Sequence, residues 1–131
     1  MSIKSLGFFA LALAAAGPSF AAPPANVAGI WTLVVDQQLE TLDIAQGGVG
    51  LGPCPPITGK IGIATVRGFY CPASGRLYFH HSNFTTDVTV RTFDGVVAAA
   101  ANGLPMQVAG KVTVVNTAFA PHGDYPFSGS K

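Results

Sequence analysis

His80-His81 is the pair in this chain that most invites a metal or acid–base reading. Neighbours on a strand point to opposite faces, so the two imidazoles cannot grip one ion together. His81 shares a face with Leu77 and Phe79 and is expected to point inward, which leaves His80 outside with Tyr78. His122 falls in a loop and could join one of them, but two histidines without a carboxylate or thiolate beside them make a poor metal site. Ser, His and Asp all occur, yet no Gly-x-Ser-x-Gly places a serine at a strained turn. Glu40 and Asp43 are the closest acidic neighbours, and nothing in the sequence buries them as a glycosidase pair. The expectation is a protein that is not an enzyme and needs neither metal nor cofactor.

Cys54 and Cys71 are the two cysteines, seventeen positions apart. They form no Cys-x-x-Cys, and in an exported chain they are most simply a disulfide that closes a loop of about 18 residues. Export is read from the first twenty-one residues. Lys4 supplies a positive start, Leu6 to Gly17 is an apolar run, Pro18 breaks it, and Ser19-Phe20-Ala21 offers small residues for a signal peptidase. Cleavage after Ala21 leaves residues 22–131 as one domain, periplasmic or secreted. Asn83-Phe84-Thr85 matches a glycosylation sequon, which matters only in a eukaryotic host.

Charge excludes some partners. Beyond residue 21 six Lys/Arg (Lys60, Arg67, Arg76, Arg91, Lys111, Lys131) balance six Asp/Glu (Asp36, Glu40, Asp43, Asp87, Asp94, Asp124). No basic stripe follows a phosphate backbone, so nucleic acid is not an expected partner. No second apolar stretch is long enough to span a membrane as a helix. Only 10% of the chain is charged, well below the usual quarter, and a surface so poor in charge permits self-association.

The elements that must position these residues are strands. Short alternating or β-branched segments recur about every ten residues, each followed by Gly, Pro, Asn or Asp. They are 28–36, 41–46, 57–63, 66–71, 76–82, 88–93, 96–100, 106–115 and 125–128. Trp31, Leu33 and Val35 share one face, as do Leu42 with Ile44, the isoleucines of 57–63, and Val108, Val112 and Val114. Pro72-Ala73-Ser74-Gly75 and Asn102-Gly103-Leu104-Pro105 read as turns. Asp94-Gly95 reads as a tight turn between two strands, and the alanine run after it could form a short helix. Glycines at 59, 62, 68 and 110 suit barrel bends. The fold class is all-β, an antiparallel up-and-down β-barrel of about eight short strands, because closure removes the sheet edges.

Gly29-Ile30-Trp31 opens the first strand, and this Gly-x-Trp resembles the signature of the calycin group: lipocalins, fatty-acid-binding proteins, avidins and bacterial metalloprotease inhibitors. Thr58-Gly59 and Gly68-Phe69-Tyr70 look like the second hairpin of an avidin-type barrel. The resemblance implies a barrel plugged at one end by Trp31. It does not extend to biotin, since Trp31 is the only tryptophan. The function expected is binding: a carrier of a small apolar ligand in the barrel mouth, or a protein-binding barrel such as a protease inhibitor or envelope interaction module. Trp31, Tyr70, His81 and Thr92 are the candidate ligand-binding residues. Ala22-Pro23-Pro24-Ala25-Asn26 forms an extended arm, with Pro23, Pro24 and Asn26 as candidates to meet a protein partner. Inward positions rich in Ile, Val, Leu and Phe imply a filled interior.

Overall fold

The computed structural model describes residues 22–47, 52–83, 89–116 and 123–131. The proposed signal segment, His122, and Phe84 and Thr85 of the sequon lie outside them. Eight strands follow one another: β1 (Gly29–Val35), β2 (Gln38–Gln46), β3 (Pro56–Ile61), β4 (Ala64–Cys71), β5 (Arg76–Asn83), β6 (Thr89–Ala98), β7 (Gln107–Asn116) and β8 (Gly123–Ser130). Each pairs antiparallel with the next, and β8 returns to β1 through Thr32↔Ser130 to Val35↔Phe127, so the sheet is a closed up-and-down barrel. This is the general plan of a calycin-like barrel. No helix occurs among the described residues, and none there is long and apolar enough to cross a membrane.

Alternation along the strands builds the interior. Trp31, Leu33, Leu42, Ile44, Ile57, Val66, Tyr70, Leu77, Phe79, Phe93, Val97, Val108, Val112 and Phe127 are all buried. At its centre the Phe79 and Phe93 rings stack across β5 and β6 with centroids 4.5 Å apart, and Phe127 meets Phe93 edge-on at 5.3 Å. Tight strand curvature brings neighbouring backbones over Gly59, Gly68 and Gly110. A Cβ at Gly68 would lie 1.8 Å from the Tyr78 carbonyl oxygen, and one at Gly110 would lie 2.1 Å from that of Asp94. No side chain fits there.

Three expectations are corrected. Asp94-Gly95 is not a turn: Gly95 pairs with both Leu77 and Gly110 inside one ten-residue strand, β6, and no helix forms at the alanines. Ile63 does not join Ile57 and Ile61 in the core. With Gly62 (φ +59°) it forms the β3–β4 turn and is 93% exposed. The β1–β2 turn is made by Asp36 and Gln37, both at positive φ (46° and 65°) between the paired Val35 and Gln38. Positive φ at both central residues marks a type I′ turn, here built without glycine or asparagine.

Candidate functional site at the open barrel mouth

The two ends of the barrel differ. At the end where β1 begins, residues 22–28 lie across the opening. Val27 is fully buried, and its carbonyl accepts from the Trp31 indole Nε1–H at 2.8 Å. The Tyr70 hydroxyl donates to the Pro24 carbonyl at 2.5 Å. The Gln46 amide accepts from the Val27 N–H at 2.9 Å and donates to the Ala25 carbonyl at 3.1 Å. Asn26 Oδ1 accepts from the Ala28 N–H at 2.7 Å, and Pro23 packs beside Gly75. The segment expected to project as an arm is therefore a strap over the barrel end. Its carbonyls answer the buried polar tips of Trp31 and Tyr70, which would otherwise lose hydrogen bonds on burial. Burial in this packing holds the Tyr70 phenol above its ordinary pKa. The Cys54–Cys71 disulfide is formed and ties the segment before β3 to the last residue of β4 at this same end.

The opposite mouth is polar at its floor. The cross-strand pair His81↔Arg91 faces inward, and Leu33↔Glu40 brings Glu40 to the same interior. β2 and β6 stand on opposite walls of the barrel. Across that gap Arg91 Nη1 and Nη2 donate to the two Glu40 oxygens at 2.8 and 2.9 Å, while Arg91 Nε–H donates to His81 Nε2. The ion pair is mostly covered, with side chains 19% and 26% exposed, and the guanidinium also lies over the Phe93 ring at 5.4 Å. His81 is only 5% exposed. Burial, and then the neighbouring Arg91 charge, lower its pKa from 6.5 to about 4. The ring is thus neutral and, since Nε2 accepts from Arg91, carries its proton on Nδ1. That Nδ1 has no partner among the described residues.

Beside this bar the described residues frame a cleft of about 420 Å³. Val35, Val114 and Tyr125 give it an apolar wall, Asp36, Gln38, Glu40 and Arg91 give it polar edges, and Leu39 borders it at the rim. Leu39 is 75% exposed at the rim, held there by the Asp36–Gln37 turn. Non-glycine residues at positive φ store strain, and such positions gather at functional sites. Of two outer-wall hollows of similar size, that over Thr32, Val34, Val96 and Ser128 has no charged lining residue, and that over Asp43, Lys60 and Arg67 is lined by exposed side chains.

The sequence-based candidates thus separate. Trp31 and Tyr70 meet at the strapped end and His81 stands at the open mouth. Thr92 pairs with His80 across the sheet while its neighbour Phe93 is buried, so Thr92 faces outward and does not line the interior. Its place is taken by Arg91. Strict alternation from Phe93 already puts Arg91 inward, and that signal was present in the sequence. The same alternation run back from Leu42 and Ile44 puts Glu40 inward too, although the strand was expected to begin only at residue 41, and Gln37 gives no sign of the turn before it. No group of three or more His, Cys, Asp or Glu positioned for a metal occurs among the described residues.

No protein-family model matches the chain, and neither a curated protein nor a solved structure matches it.

Proposed function

We propose that the protein is an exported binding barrel that takes a small amphipathic ligand at its open mouth. The observation that carries this reading is the asymmetry of the ends: one is strapped and stapled, whereas the other presents an apolar wall around a covered ion pair. Such a combination of apolar surface with a few convergent polar groups is what small-molecule sites share. The packed aromatic centre limits the ligand to the mouth. It is a shallower seat than a carrier cavity running through the barrel. The disulfide accords with an oxidising compartment, periplasmic or extracellular.

Native mass spectrometry on protein exported to a bacterial periplasm tests the reading. Extra mass of a small molecule that disappears in Tyr125→Ala supports it. A mass equal to the polypeptide alone, with protein partners recovered instead, would favour the protein-binding barrel.

A further inference from the structure

The charges at the mouth indicate which ligand class it takes, an inference that rests on the mouth being a ligand site. We infer that it selects an amphipathic monocation, an apolar group bearing one ammonium or amidinium centre, over a carboxylate of the same length. Among the described residues the lining carries two carboxylates, Asp36 and Glu40, against one cation, Arg91. Arg91 is already engaged: both Nη groups hold Glu40, and Nε holds His81. An incoming carboxylate would have to displace Glu40, a partner already fixed in place by the fold, and would leave that carboxylate half-covered and unpaired. Asp36 makes no ion pair among the described residues and lies exposed at the rim. A cation seated there meets a carboxylate without an ion-pair partner among the described residues, while its apolar part lies against Val35 and Val114. Tyr125 adds an aromatic wall, which favours a cation further.

Isothermal titration with octylammonium, 1-octanol and octanoate at pH 7 and low salt separates the outcomes. These three share one chain and differ only in head-group charge. Octylammonium is expected to bind tightest and octanoate weakest, with the gap narrowing in 0.5 M salt. Asp36→Asn, which tolerates the same positive-φ turn, is expected to weaken octylammonium two- to fivefold and to leave octanol unchanged. Octanoate binding as tightly as octylammonium, or an Asp36→Asn variant with unaltered preference, overturns the ligand class and leaves the mouth site standing. Failure of all three to bind overturns the mouth site itself and the class with it.

Discussion

His81 is buried at the foot of the mouth beside a fixed positive charge. It is neutral in the fold because burial and Arg91 both oppose a charge, and its pKa falls to about 4. The unfolded chain therefore binds a proton that the folded chain refuses between about pH 6.5 and 4. Stability from this group is fully present above pH 6.5, is lost as the pH falls through that window, and changes no further below 4. The loss is on the order of 3 kcal/mol. Urea melts from pH 7 to 4 should show this slope in the wild type and lose most of it in His81→Gln. An unchanged slope in the variant would place the titration elsewhere. Arg91 holds both His81 and Glu40, so Arg91→Met should destabilise by about 3 kcal/mol through the unpaired carboxylate it leaves. Arg91→Met with Glu40→Leu should recover most of that loss, and a double-mutant cycle of chemical melts measures it.

At the scale of the elements, hydrophobic period carried most of the information. Trp31, Leu33 and Val35 alternate without a break, and the structure places all three inside. The expected turns at 72–75 and 102–105 coincide with connections between strands, since Pro and Gly specify them locally. Two features were illegible for physical reasons. Gly95 resembles a turn residue beside Asp94, but it sits inside β6, where curvature leaves no room for a side chain: a Cβ there would lie 2.9 Å from the Ala109 carbonyl oxygen. Asp36-Gln37 makes a type I′ turn in which Asp36 tolerates positive φ but Gln37 does not favour it, and the register of β1 on β2 imposes it. The mouth site was missed for the same reason, since without that turn the strand was expected to begin only at residue 41. Gln37→Gly should relieve the positive φ and raise stability by about 0.5 kcal/mol after the added chain entropy is counted. A thermal melt compares it with wild type, and a clear loss of stability would mean that Gln37 makes a contact worth more than its strain.

At the scale of the whole molecule, closure and asymmetry go together. The β1–β8 seam completes the ring with four paired positions. Around the strapped end the chain is tied repeatedly: by the Cys54–Cys71 bridge, by the Tyr70 N–H to the Pro55 carbonyl at 3.1 Å, and by the Lys131 N–H to the Met106 carbonyl at 3.0 Å. Cys54→Ser should lose about 3 kcal/mol through the freed loop and melt where the reduced wild type melts. Equal stability of the variant and the oxidised wild type would contradict a stabilising role for the bridge. On the proposed reading, the ligand therefore enters at the other mouth. The most direct measurement of that claim is a ¹H–¹⁵N NMR titration of the uniformly labelled barrel with octylammonium. The account predicts shifts concentrated at Val35 to Glu40, Arg91, Val114 and Tyr125, with the Val27 amide and the Trp31 indole unmoved. Shifts centred on the strapped end, or none at any residue at millimolar ligand, would contradict it.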